Sequence, residues 1–172
     1  MALERRIVIV MKLLVSVVGI AIVGMAALGV VFVGGMRAKW PPVIDRVRRM
    51  NRSFFASQQL ATAGGPGAYA GVLRHTGRKS GNSYATPVSI KRHGDDFVIA
   101  MVYGRRSDWL QNIIAAGSAV IELDGQTYSV DLPKIVPTAD VADAFSPGDQ
   151  RLNRWLAINE CLRLHRLSSG AE

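Results

Sequence analysis

Residues 69–92 read Tyr-Ala-Gly-Val-Leu-Arg-His-Thr-Gly-Arg-Lys-Ser-Gly-Asn-Ser-Tyr-Ala-Thr-Pro-Val-Ser-Ile-Lys-Arg. Two β-rich stretches, Tyr69–His75 and Ala85–Arg92, flank a polar run, Thr76–Asn82, that holds Gly77 and Gly81. That is the pattern of a hairpin. Three further β-rich stretches follow: Phe97–Tyr103, Ala119–Asp124 and Tyr128–Val136. Gly94-Asp95-Asp96 and Asp124-Gly125 supply turns between their neighbours. Ser107–Ala116 reads as a helix, with Ser107 as N-cap, Asp108 behind it and Gly117 as a stop. The tail predicts two helical segments, Ala139–Phe145 and a longer one from Asp149 to about Leu167. Five to six strands with few helices predict a mainly β, α+β fold, a small antiparallel barrel with helices at its rim.

Upstream of this region lies Leu13–Met36, twenty-four residues without a charge. As a helix it would reach about 36 Å, against a hydrocarbon core of about 30 Å. The run is longer than a signal-peptide core and no small-residue cleavage site follows it, so it predicts a single-pass membrane anchor. Glycines 19, 24, 29 and 34 recur every five residues and spiral around the helix, which gives no dimerisation face. Trp40 falls where an interfacial aromatic would sit. Pro41-Pro42 ends the span and opens a second helix. Its apolar residues are Val43, Val47, Met50 and Phe54, with Leu60 beyond, and its basic ones Arg46, Arg48, Arg49 and Arg52. Such a helix rests on lipid or packs on the domain. The expected organisation is an anchor (1–38), a linker with the amphipathic helix (39–67), a barrel core (68–137) and C-terminal helices that complete it (138–172).

The chain carries a formal charge of +8. Residues 37–52 alone hold a net of +5, whereas residues 53–172 are almost neutral. Basicity at the membrane edge argues for anionic headgroups and against a nucleic-acid partner. Positive flanks favour the cytoplasm, so the domain is expected at the inner face of the plasma membrane. The lone Cys161 forms no internal disulfide and reads as a small buried residue on the tail helix. His75, His93 and His165 are far apart, with no acidic partner at ligand spacing, so no metal site is expected. There is no Gly-x-Ser-x-Gly elbow, Walker loop or dinucleotide glycine loop.

Two segments carry chemistry. In Thr76–Asn82, glycines let backbone amides converge on an anion, and Arg78 and Lys79 add a planar fork and a point charge. In Val102–Trp109 a strand ends in a Gly104 turn that feeds a helix N-terminus, a setting that favours a negative group or a heterocycle's carbonyls. A solvated hairpin and an ordinary β-to-α connection would look the same.

Thr76-Gly77-Arg78-Lys79-Ser80-Gly81, then Thr86-Pro87-Val88, then Gly104-x-x-Ser-Asp-Trp-Leu-x-Asn-Ile-x-Ala-Ala-Gly117 resemble the deazaflavin-dependent nitroreductase family, over roughly residues 69–136. The resemblance implies a split β-barrel oxidoreductase that uses coenzyme F-420, an 8-hydroxy-5-deazaflavin. By position it implies that Gly77, Arg78, Lys79, Ser80 and Gly81 hold the coenzyme's acidic tail; a tail of that length needs an extended basic track, longer than the single clamp that FMN needs, and Arg74 and Arg105 or Arg106 are the cations available to extend it. Met101, Val102, Tyr103 and Gly104 would lie against the ring, Ser107 and Trp109 would close that side, and Thr86 and Pro87 would face it. The family's C-terminal aromatic cluster has no matched motif here, only Phe145 and Trp155. The helix end, Ala116-Gly117-Ser118, departs from the family's Ala-Asn-Pro.

The implied reaction passes a hydride to an electron-poor acceptor, a quinone or a nitroaromatic. Tyr103, Tyr84 or solvent would supply the proton. An anchor would raise the local concentration of a lipid-soluble quinone. A split-barrel reductase that binds FMN, and a membrane-tethered protein that binds a deazaflavin or lipid without catalysis, are the alternatives. Oligomeric state is not readable from these residues.

Overall fold

The computed structural model describes residues 2–50 and 60–167. Helix α1, Ala2–Arg37, contains the uncharged run. Its Ser16–Arg37 portion is long and apolar enough to cross a membrane, with a mean hydropathy of 2.6. Its side chains there are mostly exposed, Ile20 at 73% and Leu28 at 70%. Helix α2, Pro41–Met50, turns back against the end of α1. A Cβ on Gly35 would lie 2.5 Å from Val43, so the close approach of the two helices needs glycine there. Ile44 is buried, so α2 rests on the folded part of the chain. The expected continuation through Phe54 falls on residues 51–59, outside the described ones.

Seven strands form one antiparallel sheet: β1 Gly71–Thr76, β2 Ser83–Val88, β3 Ile90–His93, β4 Asp96–Ala100, β5 Ser118–Leu123, β6 Gln126–Pro137 and β7 Glu160–Arg166. Their order across the sheet is β2-β1-β5-β6-β7-β4-β3. The edge strands β2 and β3 are consecutive in the chain, with only Ser89 between them. One bent segment therefore spans both edges, and the sheet curls into a split barrel. The stretch predicted as a single strand, Ala85–Arg92, is this bent pair.

The hairpins follow local chemistry. β1 and β2 pair with Leu73 opposite Thr86 and His75 opposite Tyr84. Asp124 and Gly125 both have positive φ, 53° and 75°, as a two-residue hairpin turn requires. β6 pairs with β5 through its first half and with β7 through its second, with a register shift between Asp131 and Lys134. Leu132, at φ 48°, makes that kink. Helix α3, Asp108–Ala116, starts after Ser107 and stops at Gly117, whose left-handed backbone (φ 72°) donates to the Ile113 carbonyl. Leu110 and Ile113 of α3 join Leu73, Phe97, Ile99, Ile121, Val130, Leu162 and Leu164 in the barrel core. Each such side chain contributes about 1.5–3 kcal/mol by leaving water.

The tail corrects the sequence reading. A 3-10 segment, Thr138–Ala144, is followed by α4, Pro147–Trp155, and then by β7 rather than by more helix. Ser146 caps α4 by accepting from the Asp149 amide at 3.1 Å. In β7, Leu162 and Leu164 enter the barrel core while Arg163 and His165 lie on the opposite side. Cys161 is buried, but on this strand, among Val98, Val136, Val141 and Phe145.

Candidate functional site

A cavity of about 480 Å³ opens between the β1–β2 turn, strand β2, α2 and the start of α3. Its size suits a small-molecule ligand. The turn puts Gly77, Arg78, Lys79 and Ser80 on its wall. Gly77 is demanded by space: a Cβ there would lie 2.6 Å from both Ser80 Oγ and the Tyr84 ring. The turn is closed by the Gly77 amide donating to the Asn82 carbonyl and the Gly81 amide donating to Gly77, both at 2.8 Å. Gly81 holds φ 70° and does not line the cavity.

Behind the turn lies a buried polar chain. Asn112 Oδ1 accepts from the Arg78 amide at 3.2 Å and from Arg78 Nη1 at 2.8 Å. Asn112 Nδ2 lies 3.2 Å from His75 Nδ1, and His75 Nε2 lies 3.1 Å from Thr86 Oγ1. An amide NH₂ only donates, so Nδ1 is the acceptor and the ring carries its proton on Nε2. His75 then donates to Thr86, and the Thr86 hydroxyl proton is left to point elsewhere. Burial pushes the His75 pKa below its ordinary value of 6.5, which keeps the ring neutral and this direction of bonding intact. Tyr84 stacks on His75 at 5.8 Å and its hydroxyl lies 3.2 Å from Ser80 Oγ.

The opposite wall holds Tyr103, Ser107, Asp108 and Trp109. Burial pushes the Tyr103 phenol up, with the Arg48 charge opposing that effect, so the phenol stays protonated. The Ser107 hydroxyl donates to the Gly104 carbonyl at 3.1 Å instead of capping α3. Trp109 is half-buried against the barrel core. Arg48, from α2, is one of three site residues that the sequence reading misses, since its pattern puts it on a solvated or lipid-facing helix surface. Here it lines the cavity and donates to Asp108 Oδ2 at 2.9 Å. Asp108 Oδ1 also sits 3.6 Å from Arg78. Arg48, Arg78 and Lys79 against Asp108 leave the cavity wall positive. Asn112 and His75 were also missed as site residues, because only the fold brings them behind the turn.

Not every expected residue reaches this cavity. Met101 and Gly104 line a neighbouring one, and Met101 is only 2% exposed. Val102 lines neither, and its carbonyl accepts from Lys39 at 3.0 Å. Arg74 does not line the cavity and pairs with Glu122 on the neighbouring strand β5. Arg105 pairs with Glu160 and, with Arg106, lines the neighbouring cavity. Phe145 is buried in the second core and Trp155 is exposed, so neither covers the site. Thr86 and Pro87 do line it. Among the described residues no cluster of His, Cys, Asp and Glu could hold a metal.

The model of the F-420H(2)-dependent quinone reductase family matches residues 47–145, more than half of the chain. Solved structures that resemble the chain include an F-420 reductase, at 13% identity and a TM-score of 0.43, covering 63% of this chain and 92% of that one. An F-420H(2)-dependent reductase has 12% identity and a TM-score of 0.41, covering 56% and 94%. An FMN-binding protein from Syntrophomonas wolfei has 14% identity and a TM-score of 0.39, covering 73% and 94%. No curated protein sequence matches the chain. By its family model, the chain belongs to the F-420H(2)-dependent quinone reductase family and is a deazaflavin-dependent oxidoreductase whose cofactor is coenzyme F-420.

Proposed function

We propose that this oxidoreductase is held at the cytoplasmic face of the plasma membrane by α1 and reduces a quinone-like acceptor drawn from the bilayer. The observation that carries the site is the single 480 Å³ cavity whose walls include both the Arg78-Lys79 turn and Tyr103. The residues fit the coenzyme: an excess of positive charge suits its acidic tail, and the absence of a side chain at Gly77 lets Ser80 and Tyr84 close up beside the two cations.

In this reading Lys79, Arg78, Gly77 and Ser80 hold the tail. Thr86, Pro87 and Trp109 bound the ring, with Ser107 bracing the Gly104 turn beside it. When bound, the reduced deazaflavin supplies the hydride. Asn112 fixes the Arg78 guanidinium and the tautomer of His75. His75 in turn fixes Thr86, so these donors are oriented before any ligand arrives. Tyr103, kept protonated by burial, holds the proton that the reduced acceptor needs. Tyr84 closes the turn side, its hydroxyl shared with Ser80. The barrel core and the helices framing it act as one enzyme unit on the anchor.

The test is a fluorescence titration of oxidised F-420 into the purified full chain. It is followed by reduced F-420 with a soluble quinone. Saturable binding and coenzyme oxidation that depends on both protein and quinone are expected. Binding without oxidation would turn the reading into a carrier, and an FMN-loaded preparation into a flavin reductase.

A further inference from the structure

We infer that a second cavity, about 430 Å³ at the foot of α1, seats the headgroup of a phospholipid with net negative charge; this rests on the proposal that α1 lies in a bilayer. Five cations line it, Arg37, Lys39, Arg48, Arg105 and Arg106, against the acids Asp45 and Glu160. The acids are already matched. Glu160 accepts from Arg105 at 3.0 Å, and Asp45 lies 3.6 Å from Arg48.

Of the remaining cations, Lys39 and Arg37 meet only neutral partners among the described residues. Lys39 Nζ donates to the carbonyls of Val102 at 3.0 Å and Leu156 at 3.4 Å, and burial pushes its pKa down. Arg37 donates to the carbonyls of Arg154, at 3.2 Å, and Trp155. Carbonyls satisfy hydrogen bonds but bring no net negative charge, so an anion that enters here offsets the part-buried Lys39 ammonium, with the exposed Arg37 and Arg106 as further donors at the rim. A phosphodiester has the right charge and acceptor count.

The position selects the source of that phosphate. Arg37 is the last residue of the apolar helix. Trp40 and Trp155 stand beside it, 51% and 54% exposed, as aromatic side chains do at a headgroup boundary. Juxtamembrane Lys and Arg at that depth meet anionic lipids first. The seat also shares Arg48 and Tyr103 with the first cavity. A headgroup held there fixes the acceptor end of the active site at the level where a membrane-borne quinone presents its ring.

The full chain in micelles holding equal amounts of phosphatidylglycerol and phosphatidylcholine tests this, with bound lipids counted by native mass spectrometry. One phosphatidylglycerol per chain is expected, favoured about tenfold over phosphatidylcholine. Arg37→Gln with Arg106→Gln, and separately Arg106→Glu, should abolish the preference while the circular dichroism spectrum is retained. Equal retention of both lipids, or a preference that survives both variants, overturns the inference. Displacement of the lipid by millimolar inorganic phosphate would assign the seat to a free anion and overturn it as well. F-420 fluorescence titration on the wild-type sample separates the two proposals: absent coenzyme binding sinks the proposed function and leaves the lipid count standing.

Discussion

Asn112 Nδ2 sits 3.2 Å from His75 Nδ1 while Asn112 Oδ1 receives two bonds from Arg78. One buried amide thus ties the anion-facing turn to the strand pair behind it. Asn112→Leu keeps the volume but strands the Arg78 and His75 groups. A buried unsatisfied polar group costs about 1–3 kcal/mol. A fall in denaturation midpoint and a loss of F-420 affinity of about tenfold or more are expected, read by urea melts and fluorescence titration. Unchanged affinity would show that Arg78 needs no positioning.

His75 gives the chain a pH dependence of defined sign. Burial lowers its folded-state pKa below 6.5. Below pH 6.5 the unfolded chain takes up a proton that the folded chain resists. Its contribution is therefore complete above pH 6.5 and declines as pH falls from there toward the folded value. Asp149 and Glu160, also held below their ordinary values, act only in the more acidic carboxylate window. Melting temperature should fall between pH 7.5 and 5.5, and His75→Gln should flatten that slope.

Tyr103→Phe removes the phenol proton and little volume. With Tyr103 as donor, kcat should fall by about 10²–10⁴-fold, with KM for the quinone nearly unchanged. Stopped-flow oxidation of reduced F-420 reads this directly. An unaltered kcat would assign the proton to solvent or to Tyr84, and Tyr84→Phe decides between them.

Gly77→Ala displaces Ser80 and Tyr84, the two side chains within 2.6 Å of the new methyl. Both belong to the cavity wall and not to the barrel core. Coenzyme affinity should drop at least as far as in Arg78→Ala/Lys79→Ala. Calorimetry should show a stability loss near the lower end of the about 1–3 kcal/mol typical of overpacking.

Leu132 carries left-handed backbone at φ 48° and is 69% exposed. That conformation costs an L-residue about 1–2 kcal/mol, whereas glycine's added chain entropy costs about 0.5–1 kcal/mol. Leu132→Gly should raise stability slightly, by roughly 0.5 kcal/mol or more, in an equilibrium urea melt. A loss of stability would mean that the Leu132 side chain holds the β6 kink.

Alternation and turn residues made β1, β5 and β6 readable, and Ser107 with Gly117 bracketed α3 closely. The turn was readable from Gly77 and Gly81, but residue chemistry alone did not separate its Arg78 and Lys79 from the cations of a solvated hairpin. β7 was not, because Leu152, Trp155, Leu156, Asn159 and Leu162 continue a helical spacing across the true break at Ala157, whose positive φ of 50° ends the helix. Only pairing with β4 and β6 makes residues 160–166 a strand. Arg48, His75 and Asn112 were illegible as site residues for another reason. They lie 27 to 64 positions apart in sequence, and nothing local announces that α2 and α3 bring them to one hollow.

The bonds from Arg37 and Lys39 to the carbonyls of residues 102 and 154–156 make the junction after α1 a strut and not a leash. If α1 inserts in lipid as proposed, a strut of that kind would confine the enzyme's mouth to one thin layer. Its encounters would then be two-dimensional, and turnover would track the mole fraction of acceptor in the leaflet and ignore how much bulk solution surrounds the vesicle.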